Sequence, residues 1–289
     1  MKLTIFTPTY NRASYLQRLY DSLLKQTEID FEWLIVDDGS SDNTEEVANS
    51  FVEEKKILIR YLKKANGGKH TAYNYALEHA AGDWLLCVDA DDYLANDAIA
   101  HIFERISTLN YKMGIVAYKE DQSGKRLSDL FPTHINQCKL SDLTLRYNCS
   151  GEFTLIYPTQ IAAKYKFPVF SGEKFIGECV IYDQIDKECP VCFLPYPITV
   201  CEYLADGYSN NFGSLMGRNP SGFCLYFLQR IDLQVKLLPR IIHASKYWCF
   251  RWISGNNTLT YHGKHKLLVA FSVMPGVLFR IYYKLFRNI

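Results

Sequence analysis

The last quarter of the sequence has almost no acidic residues and no long uninterrupted apolar run. Residues 218–289 contain 11 of the 32 Lys and Arg residues but a single acid, Asp232, which gives this segment a charge of +10. Since the whole chain carries +1, residues 1–217 carry −9. The apolar run 267–279 has 13 residues, whereas a membrane-spanning helix needs about 20. We therefore expect no membrane-spanning helix, and the uneven charge predicts that chemistry and docking occupy different parts of the chain.

The sequence also lacks a disulfide framework and the glycine motifs of common nucleotide-binding enzymes. Nine cysteines, an odd number, are scattered along the chain, and no charged-then-apolar leader follows Met1. This pattern predicts a reducing, cytoplasmic compartment in which the cysteines are mostly packing residues. Neither G-x-G-x-x-G nor G-x-x-x-x-G-K-[ST] occurs, which disfavours nicotinamide dehydrogenases and P-loop enzymes.

Short apolar runs alternate with helical patterns over the first 110 residues. With 48% hydrophobic residues, the chain can bury a full core. Strands and amphipathic helices are predicted to alternate, in chain order, at 3–7, 13–26, 31–36, 43–52, 57–62, 70–80, 84–88 and 96–109. This order predicts an α/β fold, in which a parallel sheet is flanked by helices and the ligand crevice lies beyond the carboxyl ends of the strands.

Polar clusters follow three of the predicted strands. They are Thr-Pro-Thr-Tyr-Asn-Arg at 7–12, Asp-Asp-Gly-Ser at 37–40 and Asp-Ala-Asp-Asp at 89–92. Five carboxylates would meet at one crevice and raise one another's pKa values unless a cation compensates them. Mg²⁺ or Mn²⁺ carrying a polyphosphate fits this need, because both ions prefer oxygen ligands. The alternative is helix capping, which we favour for Asp42 and Asn96 but not for residues 89–92.

These clusters, in this order and spacing, resemble a known enzyme family. PTYNR, VDDGSSDNT and NGGKHTAYNYALEHAAGDWLLCVDADD are similar to the nucleotide-sugar-binding half of family 2 glycosyltransferases with the GT-A fold. The stretches FSGEKFIGE (170–178) and EYLADGYS (202–209) resemble the acceptor-side half of bacterial members that build surface polysaccharides. The resemblance implies a GT-A parallel or mixed sheet flanked by helices in residues 1–213, with a nucleotide-sugar half (1–110) and an acceptor half (111–213). A helical, basic and aromatic region would follow at 214–289.

The resemblance also implies roles for individual residues. Asp38 would accept the uracil N3 hydrogen, and Asp91 and Asp92 would hold the metal on the diphosphate. Lys69 would add a charge that compensates the phosphates, unless it is an ordinary solvated lysine. The residues implied for nucleotide binding are Thr7, Pro8, Thr9, Tyr10, Arg12, Asp37, Asp38, Gly68, Lys69, Asp89, Ala90 and Asp91.

The implied reaction needs a general base, for which Glu178 is the first candidate. Transfer with inversion is a single displacement, and a carboxylate takes the proton of the acceptor hydroxyl. Glu178 precedes a predicted helix at 179–186, and its alternative role is to stabilise that helix N-terminus. Many relatives have Glu-Asp at this point, whereas Cys179 replaces the second acid here, so Asp183 is the reserve candidate. Weaker candidates, for acceptor binding, are Glu152, Glu173 and Glu202.

The basic C-terminal region also contains 13 aromatic residues within 218–289. We expect its cations to lie at anionic headgroups and its apolar side chains to enter a membrane interface. The cations are Lys264, Lys266, Arg280, Lys284 and Arg287, and the apolar residues are Phe271, Leu278, Phe279, Tyr282 and Phe286. The alternative is a helical subdomain that packs on the core, with breaks at Pro239 and Pro275. The acidic remainder of the chain argues against nucleic acid as a partner.

The predicted function is therefore an inverting, metal-dependent glycosyltransferase. It would move a sugar from a UDP-sugar to a hydroxyl of a lipid-linked glycan acceptor in cell-surface polysaccharide synthesis, as a peripheral protein at the inner face of the cytoplasmic membrane. Two alternatives stay open. A sugar nucleotidyltransferase normally has a glycine-rich loop near its first strand, which residues 7–12 lack. A non-catalytic nucleotide- or glycan-binding membrane scaffold would bind nucleotide without turnover.

Overall fold

The computed structural model describes residues 2–109, 111–202 and 212–286. The chain divides into two compact units. The first contains Met1–Lys166 and Gln184–Glu202, and the second contains Phe167–Asp183 and Tyr203–Ile289. The predicted motif at 203–209 and Arg287 lie outside the described residues, as does the side chain of Phe286.

The first unit begins with the predicted alternation of strands and helices. Its elements are β1 (Leu3–Thr9), α1 (Ala13–Leu24), β2 (Phe31–Asp37), α2 (Thr44–Glu54), β3 (Leu58–Lys63), α3 (Lys69–His79), β4 (Trp84–Cys87), β5 (Tyr93–Leu94), α4 (Ala98–Ser107), β6 (Gly114–Asp121), β7 (Gln137–Cys138), α5 (Leu140–Leu145), β8 (Phe153–Pro158), α6 (Thr159–Ala162) and β9 (Val191–Cys201). The helix α7 (Cys179–Ile185) runs across the division between the units. The apolar strands β1 and β2 are buried along their whole length. Helices α1 and α2 cover them through stacked Tyr20 and Phe51, whose ring centroids lie 4.3 Å apart.

The strands form one mixed sheet within the described residues. Its order is β3-β2-β1-β4-β8-β6-β9-β5, and β7 pairs with β9. Strands β3, β2, β1 and β4 are parallel, whereas β8 is antiparallel to both β4 and β6. The predicted α/β fold, with a parallel or mixed sheet flanked by helices, is confirmed.

The carboxyl ends of the parallel strands lie at one edge of the sheet. Thr9 pairs with Asp37, and Asp37 pairs with Lys63. The N–H of Asp38 donates to the Thr9 carbonyl at 2.8 Å, which continues this register beyond the strand. On the other side of β1, the N–H of Val88 donates to the carbonyl of Phe6 at 2.9 Å. The clusters at 7–12, 37–40 and 89–92 therefore begin at the same edge.

Neither predicted residue is the N-cap of its helix, because Asn43 holds that position in α2 and Asp97 in α4, but Asp42 does bond to the start of α2. The carboxylate of Asp42 accepts the N–H of Thr44, the first residue of α2, at 3.1 Å. Asn96 does not cap α4, because that helix begins at Ala98 and the residue directly before it, Asp97, is the N-cap. The prediction for Asn96 is wrong.

The second unit consists of helices, and residues 167–183 are attached to them. Its remaining elements are α8 (Phe212–Arg218), α9 (Pro220–Leu233), α10 (Leu237–Ser254), α11 (Lys266–Phe271) and α12 (Val273–Phe286). The Glu173 carboxylate accepts the N–H groups of Ser221 and Gly222, in the first turn of α9, at 2.7 and 2.9 Å. Asn219 accepts the N–H groups of residues 174 and 175. These bonds explain why the units do not divide at residue 213, and they make Glu173 a helix-capping residue.

The two prolines that we expected to break helices lie inside them. Pro239 is the third residue of α10, and Pro275 is the third residue of α12. The N–H groups of a first turn have no partner within the helix, so a proline there removes no helical hydrogen bond. None of the helices in the described ranges has both the length and the hydropathy that a membrane span requires.

Candidate active site

The last residue of β2, Asp37, has a buried carboxylate that accepts hydrogen bonds on both oxygens. Asp37 accepts the N–H of Ser40 at 2.7 Å on one oxygen and the hydroxyl of Tyr61 at 2.6 Å on the other. Tyr61 lies on β3. Asp37 therefore joins its own loop to the neighbouring strand.

Asp38, which is also buried, holds the segment that leads into α3. Its Oδ1 accepts Lys64 Nζ at 2.6 Å and the N–H of Gly67 at 3.0 Å. Its Oδ2 accepts the N–H of Gly68 at 2.6 Å and the Asn66 amide at 3.3 Å. Gly68 has a φ of 93°, a conformation that favours glycine. Four donors match the lone pairs of a carboxylate, so a uracil N–H would have to share or displace one of them.

Lys69 connects this segment to the acidic turn after β4. Its Nζ lies 2.6 and 2.8 Å from the two carboxylate oxygens of Asp89. Burial acts to raise the pKa of Asp89, but the charges of Lys69 and Lys119 outweigh it and hold that pKa below its ordinary value. We call residues 66–69, held by Asp38 at one end and by Asp89 at the other, the bridge segment. It brings the ends of β2 and β4 into one site, as the sequence predicts.

Asp91 is the least neutralised carboxylate of the acidic turn. Burial and the negative charge of Asp89 raise the pKa of Asp91, while the positive charges of Arg12 and Lys69 oppose this shift. No cation of the described residues lies within salt-bridge distance of its carboxylate. An added cation would therefore be favourable at this position.

Asp92 is turned to partners within the protein. It is buried, accepts a hydrogen bond from Cys201 Sγ at 3.3 Å and lies 3.6 Å from Lys119 Nζ. Burial raises the pKa of Asp92 to about 6, although the positive charge of Lys119 opposes the shift. Asp92 is thus less accessible than Asp91 to a ligand outside the protein.

The acidic turn fits a divalent cation that phosphate oxygens help to bind. Within the residues that the structure describes, no group of three or more His, Cys, Asp or Glu could hold a metal by itself. Mg²⁺ and Mn²⁺ need only one or two carboxylates when phosphates and waters complete their coordination. Asp91 suits this role better than Asp92, and both assignments remain predictions.

Arg18 of α1 fixes the acidic turn through its backbone. Its Nη2 donates to the Asp91 carbonyl at 2.5 Å, and its Nη1 pairs with Glu202 at 2.5 Å. The guanidinium also lies over the ring of Tyr93, 4.9 Å from the centroid. Glu202, a predicted acceptor-binding candidate, is therefore engaged by Arg18.

Sequence reasoning missed four residues that organise this site. Asn66 directly precedes Gly67 and Lys64 lies three residues before it, so their closeness to this motif was the available signal. Arg18 within an amphipathic helix and Lys119 within a strand belong to no motif. Their roles depend on which donors reach a carboxylate, which spacing does not specify.

The segment at the end of β1 places its side chains in different surroundings. The hydroxyl of Thr7 accepts the indole N–H of Trp33 at 2.9 Å, so it is engaged in the core. Thr9 is also buried, and its hydroxyl has no hydrogen-bond partner among the described residues. The remaining residues predicted here are Pro8 and Ala90, which are buried, Arg12, which is half-buried, and Tyr10, which is exposed.

The two candidate bases belong to the second unit. Glu178 is exposed and directly precedes α7. Asp183, within α7, is buried, and its carboxylate lies 2.8 Å from Arg230 Nε. A general base must reach the acceptor hydroxyl, for which a buried and paired carboxylate is poorly suited. This arrangement favours Glu178, and both assignments remain predictions.

Comparisons with known proteins agree with the motifs. The family model described as glycosyl transferase family 2 matches residues 4–167. The chondroitin synthase of Pasteurella multocida (strain Pm70) is 43% identical over 172 residues, which cover 60% of this chain and 14% of that relative. The hyaluronan synthase of Pasteurella multocida gives the same identity and coverage. The match thus spans a small part of the length of these relatives.

Solved structures resemble the chain over nearly its whole length. S. aureus TarS 1–349 in complex with UDP-GlcNAc has a TM-score of 0.60 at 19% identity, and the match covers 98% of this chain and 90% of that one. The mannosyltransferase PcManGT from Pyrobaculum calidifontis, in complex with GDP-Man and Mn²⁺, has a TM-score of 0.57 at 18% identity, with coverage of 99% and 83%. These likenesses show the GT-A fold. Since the family model also matches more than half of its residues, the chain belongs to glycosyl transferase family 2.

Proposed function

We propose that this glycosyltransferase moves a sugar from a UDP-sugar to a hydroxyl group of a glycan acceptor, with inversion at the anomeric carbon. The observation that carries the proposal is the bridge segment, which sets Lys69 beside the acidic turn while Asp38 holds the adjacent backbone. In a nucleotide-sugar donor the diphosphate lies between the nucleoside and the sugar. We place the nucleoside near Asp38 and the diphosphate near Lys69 and the acidic turn. The TarS complex with UDP-GlcNAc supports a UDP-sugar as that donor.

The residues of the chain have separate tasks in the proposed reaction. Lys69 places a positive charge near the diphosphate, and the hydroxyl of Thr9 offers a buried hydrogen-bonding group. Asp91 would hold Mn²⁺ or Mg²⁺ together with phosphate oxygens. When bound, such an ion stabilises the negative charge on the UDP leaving group. Glu178 takes the proton of the acceptor hydroxyl. At the same time the hydroxyl oxygen of the acceptor bonds to the anomeric carbon, and the bond from that carbon to UDP breaks.

We further propose that the acceptor is a lipid-linked glycan at the inner face of the cytoplasmic membrane. The support is the charge of +10 on residues 218–289, which would attract this region to anionic lipid. The relatives include a chondroitin synthase and a hyaluronan synthase, and these names support a glycan acceptor.

A donor screen that measures UDP release with added Mn²⁺ or Mg²⁺ tests the proposal. Asp91→Asn should lower the rate by about 100-fold or more, because it removes a ligand of the ion that stabilises the leaving group. The same variant should bind Mn²⁺ more weakly in the presence of UDP, as measured by electron paramagnetic resonance. Asp21→Asn, an exposed change on α1, is the matched control and should leave both measurements unchanged. Full activity of Asp91→Asn would contradict the metal assignment.

The proposed base is tested by separating binding from turnover. Glu178→Gln should bind UDP as the wild type does and transfer sugar ~10²–10⁴-fold more slowly. Glu53→Gln, an exposed change on α2, is the control. Wild-type turnover of Glu178→Gln would assign the base to another residue. UDP binding by the wild type with no release from any donor would instead support the scaffold alternative.

A further inference from the structure

Helices α11 and α12 present a row of apolar side chains to solvent. The row consists of Leu267, Phe271, Met274, Leu278, Ile281 and Leu285, which are between 49% and 81% exposed. Their spacing of four, three, four, three and four residues is typical of one side of a helix, and i to i−4 hydrogen bonds of Ser272 and Gly276 continue the helical pattern across the junction of α11 and α12. We call these six residues the apolar face. Single exposed apolar residues are common, but a contiguous row of this length marks an interaction surface.

The opposite side of the same helices is packed, which fixes their orientation. Val269 and Tyr283 are buried in the core of the second unit. A Cβ added to Gly276 would lie 2.8 Å from the Trp248 side chain and 2.9 Å from the Ser245 carbonyl, so α12 closely contacts α10 there. The apolar face therefore cannot turn inward without breaking this packing. The core-packing alternative thus holds for one side of these helices, and the membrane-interface prediction concerns the other side, which is exposed.

This packing changes the set of residues expected at a membrane interface. Phe271, Leu278 and Tyr282 are exposed, as the interface prediction requires. Phe279 is half-buried against the helical core, so its assignment to the interface was wrong. Four members of the apolar face, Leu267, Met274, Ile281 and Leu285, were not among the residues predicted to lie at the interface.

Basic side chains predominate around the apolar face, and the acid near it is Asp232, which lies 4.0 Å from His265 at the start of α11. Lys264, Lys266, Arg280 and Lys284 are exposed. No Asp or Glu occurs after Asp232 in the sequence. Two copies of this face would bring like charges together, which opposes a dimer through it. An anionic lipid surface offers both the apolar phase and the charge that complement it.

We propose that α11 and α12 lie in the plane of an anionic membrane, with the apolar face inserted between lipid headgroups and these lysines and Arg280 at the phosphates. The two helices have 6 and 14 residues, so they lie along the surface. The proposal goes beyond the sugar transfer, since it assigns a membrane-binding surface by residue. It also gives a physical route to lipid-linked acceptors.

Vesicle sedimentation of the full chain tests this surface. The protein should sediment with vesicles of phosphatidylcholine and phosphatidylglycerol, much less with phosphatidylcholine alone, and less at high salt. Phe271→Ser and Leu278→Ser should each weaken binding about tenfold, because each removes an inserted apolar side chain. Arg280→Glu with Lys284→Glu should abolish the preference for the anionic lipid. Leu130→Ser, at an equally exposed leucine of the first unit, is the matched control and should bind normally.

Point variants at exposed positions keep the test independent of folding and of turnover. A deletion of residues 265–289 would remove buried Val269 and Tyr283, whereas Phe271→Ser should leave the thermal unfolding curve and soluble UDP release unchanged. Equal sedimentation of wild type and Phe271→Ser would overturn the proposal. A concentration-dependent dimer that Phe271→Ser abolishes would also overturn it, in favour of a second copy. Vesicle binding requires no turnover, so the sedimentation result can be interpreted even if the proposed sugar transfer proves wrong.

Discussion

Replacing Asp38 with asparagine should destabilise the first unit and weaken nucleotide binding without changing base preference. An amide has one acceptor oxygen, so in either orientation its NH₂ group faces two of the four present donors. In one orientation the NH₂ faces Lys64 and Gly67, and in the other it faces Gly68 and Asn66. The bridge segment therefore loses part of its attachment in both cases.

The magnitude follows from the lost bonds and their burial. A hydrogen bond to a charged group contributes roughly 1.5–3 kcal/mol, and two donors lose their acceptor. Lys64 also keeps bonds to the Ala65 carbonyl and the Thr71 hydroxyl at 2.6 and 2.8 Å, which reduces the cost of losing its ion pair. We expect Asp38→Asn to lower the free energy of unfolding by about 3 kcal/mol, near the lower end of the range for breaking a buried ion pair.

Urea denaturation and calorimetric titration with UDP and CDP measure the two effects. If Asp38 mainly holds the bridge segment, both nucleotides should bind more weakly by the same factor. If Asp38 reads the uracil N3 hydrogen, the variant should lose UDP selectively and gain CDP, because an amide N–H can donate to cytosine N3. Asp121→Asn, at an exposed carboxylate that also accepts backbone N–H groups, is the control. Unchanged stability together with a switch towards CDP would refute this reasoning.

Two further predictions concern stability. Burial lowers the pKa of His70 from 6.5 to about 4. As the pH falls below 6.5, the imidazole is therefore protonated in the unfolded chain but stays neutral in the folded chain until about pH 4, and this difference favours unfolding. Between pH 6.5 and 4, the free energy of unfolding of the wild type should therefore fall by up to ~3 kcal/mol more than that of His70→Gln. Urea denaturation that shows the same pH dependence for the two proteins would contradict this. Gly82→Ala should lower the stability of the first unit by about 1–3 kcal/mol or more, because its Cβ would lie 2.4 Å from the backbone of β1. Gly177→Ala, where a Cβ meets nothing within 4 Å, is the control, and equal thermal midpoints for the two variants would disprove the clash.

The first half of the fold is predictable because its signals are local. Each parallel strand is an apolar run bounded by turn residues, and the predicted strands and helices from β1 to α4 match the structure to within about two residues at most ends. The insertion of β8 between β4 and β6 is not predictable in this way. Antiparallel pairing of Leu85 with Tyr157 joins residues far apart in the chain, and no short pattern encodes such a partner.

The sequence predicts that the polar clusters meet at one edge of the sheet, but it does not predict the contacts within the candidate site. The location of Asp38 and Asp91 after strands follows from the motifs and the topology of the sheet. The contacts of the acidic turn depend on long side chains that are distant in sequence: Arg18 donates to the Asp91 carbonyl, and Lys119 lies beside the carboxylate of Asp92. The same limit applies to Glu173, whose bonds to the start of α9 span 48 residues or more.

The bridge segment has a consequence for redesigning the donor specificity of this chain. Because four consecutive residues are anchored at both ends, a substitution at Asn66 or Gly67 should also shift Lys69. If the donor binds as we propose, selectivity for the nucleotide and catalytic rate should therefore change together. A library that varies residues 38, 66–69 and 89 together keeps both anchors compatible, whereas single substitutions should trade one property against the other.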